Sequence, residues 1–483
     1  MLENIFVGAY LGILGLLAIY GFHRSMLTYL FFKTRNNRPR PQAHFREEEL
    51  PTVLVQLPLF NERYVCERLI DAVTRFDYPR DKMTIQVLDD STDDTTEIAQ
   101  AKVAEVAARG FNIVMIHRED RTGFKAGALE NGLALSDSRL VAVFDADFIP
   151  PANILRDTVD FFTDDKVGMV QARWGHINKG YSLFTNIQSL MLDGHFVIEH
   201  GARHRSGRFF NFNGTAGIWR VAAITDAGGW EHDTLTEDMD LSYRAQLRGW
   251  RFLYVDEIIA PAEIPVEMAS FKSQQHRWAK GSIQVCKKML PTILKSDESF
   301  KVKLEAFFHL TANFAYLLMI ALALLLLPNL LLRTQHGWRE VLLIDIPLFF
   351  GTTGSIGMFY ITAHKELYGK PLRALAKVPL LMSLGIGLSI NNAKAVLEGI
   401  FGHDTPFVRT AKHGVDNKTD NWTRKKYRAA KGLVPAIELL FAAYFMATIF
   451  VAFKGGHFVS IPFLMLFLIG YLYVGVFSLY QRR

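Results

Sequence analysis

At 483 residues, half of them apolar, the chain is too long for one ordinary core and too apolar for a purely soluble protein. Its net charge of +6 reads as basic residues flanking apolar segments, and no pattern of nucleic-acid recognition accompanies it. Two cysteines, Cys66 and Cys286, suggest neither a disulfide nor a metal site.

The first element is an uncharged run, Asn4 to Phe22. An acid, Glu3, stands where a secretory leader carries basic residues, and Phe22-His23-Arg24 is a poor cleavage site. Residues 1–33 are therefore expected to form a retained transmembrane anchor. Some 270 residues of mixed polarity follow, and residues 34–303 suffice for a full α/β domain. This domain opens with PTVLVQLPLFNE, where Thr52 to Leu57 predicts a strand and Asn61-Glu62 a loop leading into a helix. A second strand, Thr84 to Leu88, stops at DDSTDDT, and a third, Asn112 to Ile116, at HREDRTGFKAG. A fourth, Leu140 to Phe144, stops at DADFIPP. Strand, polar loop and helix in repetition predict a mostly parallel sheet, which binds ligands at the carboxyl ends of its strands.

Beyond Lys303 the apolar segments return. Ala306 to Leu332 lacks Lys, Arg, Asp and Glu, and Val341 to Ala363 is interrupted only by Asp345. Leu433 to Phe453 contains one acid, Glu438, and Phe458 to Tyr480 has no charge. Each can cross ~30 Å of hydrocarbon at ~1.5 Å per residue. Leu375 to Gly399 differs, because its apolar run, Val378 to Ile390, is thirteen residues long and predicts an interfacial or re-entrant helix. Eight Lys and Arg between Phe401 and Gly432 then remain on the cytoplasmic side. The expected organisation has five spans. Two lie within 304–364 and two within 433–483, with an interfacial helix and basic loop over 365–432. The protein is then a multi-pass membrane protein surrounded by lipid, with domain 34–303 in the cytoplasm.

Acids gather at the predicted strand ends. A helix cap explains one acid of DDSTDDT, so Asp89 and Asp90 are surplus, and carboxylates suit the N–H and hydroxyl groups of a base and ribose. Asp145 and Asp147 flank one small residue, a spacing that can hold a hard divalent cation with positions open for diphosphate oxygens. Lys125, at a loop-to-helix junction, is either a phosphate contact or a solvated surface lysine. In LTEDMDLSYRAQLRGW, Thr236 falls in N-cap position with acids in the first turn, which does not require both Glu237 and Asp238.

In order, Asp89/Asp90, the Asp145-Asp147 pair, TED at 236–238 and Gln274-x-x-Arg277-Trp278 resemble the motifs of processive family-2 glycosyltransferases. FNFNGTAGIWR (209–219), SQQHRW and TPFVRTAKHG (405–414) are similar to the cellulose synthase-like mannan and glucan synthases, from about Pro51 to Gly414. The resemblance implies an α/β GT-A domain inserted between transmembrane helices and an inverting transfer from a nucleotide sugar, GDP-mannose or UDP-glucose. It also implies Mg²⁺ or Mn²⁺ as cofactor. Asp89 or Asp90 would contact the nucleoside, Asp145 the donor and Asp147 the metal, with Asp145 beside it. Asp238 would be the general base, with Glu237 next to it in the catalytic motif. Arg277 and Gln274 would hold the diphosphate, with Lys125 nearby, and Trp278 would offer its face to a sugar. Gly214 and Thr215 match the acceptor loop, and Phe407, Thr410 and Lys412 match a gating loop over the donor site. Arg409 departs from the cellulose synthase pattern, where a valine is usual, and agrees with mannan-like members.

Three functions compete. The first is a synthase that extends a β-linked hexose chain and passes it through its own spans. The second is a membrane enzyme adding one or a few sugars to a lipid acceptor. The third, an exporter that only binds nucleotide sugar, leaves the acids without a chemical role. The acceptor loop, Trp278 and the gating-like loop favour the polymer. Donor identity and linkage are not legible in the motifs.

Overall fold

The four expected strands form one side of a seven-stranded sheet. β1 (Val53–Leu59), β2 (Met83–Asp89), β3 (Ile113–His117) and β4 (Leu140–Val143) run parallel in the order β3-β2-β1-β4. β1 is apolar at nearly every position because helices cover both its faces. Val53, Val55 and Leu57 enter one core with residues of the helices Cys66–Val73 and Thr95–Ala108. Leu54 enters another with residues of the helix Phe124–Leu133. The computed structural model describes residues 2–336, 347–403, 409–416, 419–420, 422 and 432–481.

Three strands that the sequence pattern did not flag extend the sheet. β5 (Val167–His176), β6 (Gly217–Arg220) and β7 (Arg251–Ala262) continue it in the order β4-β6-β5-β7. β6 runs antiparallel to β4 and β5, while β5 and β7 pair in parallel. The reversal has a consequence for function. An antiparallel strand is entered at the edge where its neighbours end, so the loop before β6 arrives at the carboxyl ends of β1, β2 and β4.

Among the described residues, four helices are long and apolar enough to cross a membrane: Ile5–Lys33, Phe314–His336, Val434–Lys454 and Phe458–Tyr480. The span expected from Ala306 is interrupted, since one helix, Phe300–Thr311, ends before another starts at Phe314. Part of the segment expected over Val341 to Ala363 lies outside the described residues. The remainder contains a π-helical turn, Phe350–Gly354, and the helix Ser355–Tyr368. The short apolar run is bent, with Pro371–Gly387 and Ser389–Phe401 meeting at 46°. Such a bend suits a re-entrant segment, and read as one broken span it makes a fifth crossing. Most of the basic stretch, including Lys418 and Arg424 to Lys426, lies outside the described residues. The acid within Val434–Lys454 has a partner: Lys272 Nζ donates to Glu438 Oε1 at 2.6 Å, both buried. Removing either partner would strand a buried charge, so the pair pins the helix Met268–Lys295 against the membrane bundle.

Candidate active site

The carboxyl ends of β1, β2 and β4, the loop before β6 and the helix Met268–Lys295 enclose one cavity. β2 brings two acids with different fates. Asp89 is wholly buried and accepts from the Ser91 amide (3.2 Å), the Thr96 hydroxyl (2.7 Å) and His117 Nδ1 (2.8 Å). It fastens the strand end. Asp90 lines the cavity and accepts from Arg118 Nε at 2.8 Å and Nη2 at 2.6 Å. Of the two acids expected at the nucleoside, Asp90 is the one that lines the cavity.

Past β4, the Asp145 amide donates to the hydroxyl of Thr215 at 2.9 Å. Thr215 is wholly buried, which corrects its expected role as an acceptor contact: it fixes the backbone under Asp145. Lys125 Nζ donates to Asp145 Oδ1 at 2.5 Å and to the Gly214 carbonyl at 2.8 Å. Gly123 and Phe124, at φ 77° and 48°, turn the chain through the left-handed region just before Lys125. Burial alone would lower the lysine's pKa, but Asp145, Glu237 and Asp238 hold it above its ordinary value. Lys125 is thus a half-buried member of the site, paired with Asp145, and not a solvated surface lysine.

Asp147 is 6% exposed, and its carboxylate accepts from the ammonium of Lys412. Arg409 Nη1 lies 3.1 Å from Glu62 Oε2, so Arg409, Thr410 and Lys412 close one wall of the cavity. Phe407 lies outside the described residues. Burial pushes the Glu62 carboxyl up to about 8, against the pull of Arg409 and Lys412. Asp145 and Asp147 present carboxylate oxygens to the same cavity, the donors that Mg²⁺ and Mn²⁺ take. A cation, the Lys412 ammonium, already sits on Asp147. The residues fit a divalent ion, provided that Lys412 gives way. A second acidic group, Glu231, Asp233 and Asp240, is cross-linked by Lys288, which lies 2.8 Å from Asp233 and 3.1 Å from Asp240, and it reads as an ion-pair network.

Beneath Gly214 starts the helix Glu237–Leu247. Thr236 holds its N-cap position but makes no side-chain capping bond. Instead the neighbouring helix presses on it: a Cβ added at Gly281 would lie 2.5 Å from Thr236 Cγ2. Asp238 Oδ1 accepts from the Met239 amide at 2.8 Å, and Oδ2 faces Gly214, where an added Cβ would lie 3.1 Å away. The depth of the cavity and then the adjacent Glu237 push the Asp238 carboxyl up to about 7, against Lys125. Burial also raises Glu237, opposed by Lys125 and Arg277. Asp238 stays partly accessible from the cavity, as a proton acceptor must. Gln274, Arg277 and Trp278 occupy positions three and four apart on one helix, so they share a face and line the same cavity.

Residues 51–281 match the family model described as Glycosyltransferase like family 2. The chain is 34% identical over 410 residues to glucomannan 4-beta-mannosyltransferase 7 of Arabidopsis thaliana, covering 82% of this chain and 71% of that protein. It is 35% identical over 408 residues to glucomannan 4-beta-mannosyltransferase 2 of the same plant, covering 80% and 73%. The chain is a family-2 glycosyltransferase. A mannosyltransferase from Pyrobaculum calidifontis, solved with GDP-Man and Mn²⁺, has the same GT-A-like fold. The TM-score is 0.54 at 17% identity, with 82% of this chain and all of that one covered.

In this glycosyltransferase a second cavity of about 350 Å³ adjoins the first, within the ~300–1,000 Å³ range of small-molecule sites. Asp238, Trp278, Trp174 and Asn213 line both. The far wall carries Tyr20 and Arg24 of the N-terminal helix, Tyr316 of Phe314–His336 and Tyr360 of Ser355–Tyr368. The sequence reading did not single out Trp174 or Asn213. Trp174 sits near the end of β5, a strand the sequence pattern does not reveal, whereas Asn213 stands beside the glycine of the FNFNGTAGIWR motif.

Proposed function

We propose that this glycosyltransferase is a membrane synthase extending a β-1,4-linked mannan or glucomannan, with GDP-mannose the foremost donor and UDP-glucose the alternative. The observation that carries the reading is the meeting of two cavities at Asp238 and Trp278. One cavity has the acids and cations of a nucleotide-sugar site, and the other leads toward the candidate spans, where a growing chain can be held. The catalytic domain then faces the cytoplasm, the source of nucleotide sugars, and the product enters the membrane.

Asp238 takes the proton of the acceptor hydroxyl as its oxygen bonds to the anomeric carbon. The bond from that carbon to the diphosphate breaks on the opposite face, which inverts the centre, and the diphosphate leaves with the electron pair. Without a placed carboxylate the hydroxyl is a poor nucleophile. Arg277 and Lys125 meet the developing negative charge, and Gln274 orients the same groups. Asp145 and Asp147 would hold Mg²⁺ or Mn²⁺, which supplies further charge neutralisation when bound. Asp90 faces the nucleoside, while Arg409, Thr410 and Lys412 cover the donor.

Purified protein given a panel of labelled nucleotide sugars is expected to use GDP-mannose and to release long products. Only short, lipid-extractable products from the wild type would mean a lipid acceptor instead. Trp278→Ala is expected to slow elongation about tenfold or more with donor affinity unchanged, by analogy with bases stacked on aromatic side chains, which contribute ~1–3 kcal/mol each. Gel analysis of product length checks it, and wild-type lengths from the variant would remove Trp278 from the acceptor site.

A further inference from the structure

Along the second cavity, lined by His195 and Glu199, runs a chain of hydrogen bonds to Asn213, which lines both cavities, and the displacement itself does not use it. Gly194–His200 form a π-helical segment between the α-helices Leu183–Asp193 and Gly201–Arg205. Side chains five apart on an α-helix point about 140° from one another. The wider π turn, bonded from i to i+5, brings them toward one side, and such turns are frequent at functional sites. Here it brings His195 beside His200, with ring centres 4.4 Å apart and the rings tilted at 55°, and both reach the amide of Asn213. Asn213 Nδ2 lies 3.2 Å from His195 Nε2, and Oδ1 lies 2.6 Å from His200 Nε2. Glu199 Oε2 lies 2.8 Å from His195 Nδ1.

The direction of each bond follows from what each atom can do. A carboxylate only accepts, so His195 Nδ1 donates to Glu199. In the neutral imidazole, Nε2 then keeps its lone pair and accepts from the Asn213 amide nitrogen. The amide oxygen then accepts from His200 Nε2–H, and burial holds the His200 pKa well below its ordinary value. Each link donates toward Glu199, which Arg24 and Arg203 approach at 3.6 and 3.8 Å. The chain therefore has one hydrogen-bonding sense and holds the Asn213 amide in one orientation.

Asn213 immediately precedes Gly214, whose φ is 78°. A Cβ at Gly214 would lie 3.1 Å from Asp238 Oδ2 and 3.4 Å from Lys125 Nζ. The loop passes over the base with no spare room, so a displaced Asn213 would move Gly214 against both groups. We propose that His195, acting through Asn213, is a positioning residue that sets the Gly214 loop and with it the acceptor hydroxyl against Asp238. The inference rests on the reading that the second cavity holds the acceptor.

The test compares His195→Phe, which keeps a ring and loses both bonds, with His195→Gln, whose amide can both donate and accept. Asn213→Ala cuts the next link. His195→Phe and Asn213→Ala are expected to lower kcat for elongation about tenfold or more, as a misplaced reacting group does, with nucleotide affinity unchanged. His195→Gln should return to within about threefold of wild type, and the His195→Phe/Asn213→Ala double variant should be no slower than the slower single one. Wild-type elongation by His195→Phe or by Asn213→Ala overturns the inference. So does a glutamine variant as slow as the phenylalanine one, or losses that multiply in the double variant. If His195→Phe loses nucleotide binding, Asn213→Ala and the glutamine variant still decide. Absence of any polymer from the wild type overturns the acceptor reading itself, a result separate from all of these.

Discussion

Asp238→Asn is expected to slow sugar transfer at least ~10²-fold while nucleotide affinity stays nearly intact. Asparagine keeps the shape and can still accept from the Met239 amide, so the helix start beneath Gly214 is preserved. What it lacks is basicity. The same residue, as the proposed base, is expected to govern the pH dependence. Burial and the neighbouring Glu237 raise the Asp238 carboxyl to about 7, so below that pH it is protonated and cannot take the acceptor's proton. Wild-type kcat/KM should therefore rise with pH along a limb centred near 7 and be lost as pH falls through it, the free-enzyme value being the one this ratio reports. Residual activity of Asp238→Asn should lack that limb. Calorimetry with the nucleotide and a pH–rate series on both proteins check the two halves. Loss of donor binding in the variant would make Asp238 a donor-site residue and place the base elsewhere.

Much of this arrangement is legible in the sequence alone. β1 to β4 announce themselves because parallel strands covered on both faces are short apolar runs cut off by polar loops. The sequence also put the acids at their carboxyl ends. The other strands hide for physical reasons. β6 is only four residues, Gly217–Arg220, and β7 carries Asp256 and Glu257 in mid-strand, so neither makes a clean apolar run. Because the antiparallel β6 was not seen, nothing in the sequence explained how Gly214 comes to lie over Asp238. Asp89 and Asp90 could not be told apart either. Adjacent residues at a strand end point in opposite directions, and only the surroundings, Thr96 and His117 for one and the cavity for the other, separate them. His195 and His200 escaped notice because ordinary helical periodicity sends them to different faces. The start of the second span is misplaced in the sequence pattern, because the apolar stretch from Ala306 conceals a break between the helices Phe300–Thr311 and Phe314–His336.

Asp147→Ala is expected to abolish turnover that depends on a divalent cation, a loss of ~10³-fold or more if the ion carries the leaving group's charge. The argument starts from burial. A carboxylate at 6% exposure needs a cation beside it, and in this structure the partner is the Lys412 ammonium. That pairing shows that the position favours positive charge, while Asp145, joined to Lys125, offers a second carboxylate on the same side of the cavity. An ion arriving with a diphosphate would replace one ammonium contact on Asp147 by a doubly charged one. Alanine removes the buried ligand and leaves Lys412 without its carboxylate, so the variant should bind Mn²⁺ more weakly in the presence of nucleoside diphosphate. A Mn²⁺ titration followed by electron paramagnetic resonance reads that loss without any turnover. Glu62, whose carboxyl burial pushes up to about 8, is already paired with Arg409 and should not substitute for the missing charge. Unchanged Mn²⁺ affinity, or full activity of Asp147→Ala in chelator-treated membranes, would sink the assignment of Asp147 to the metal.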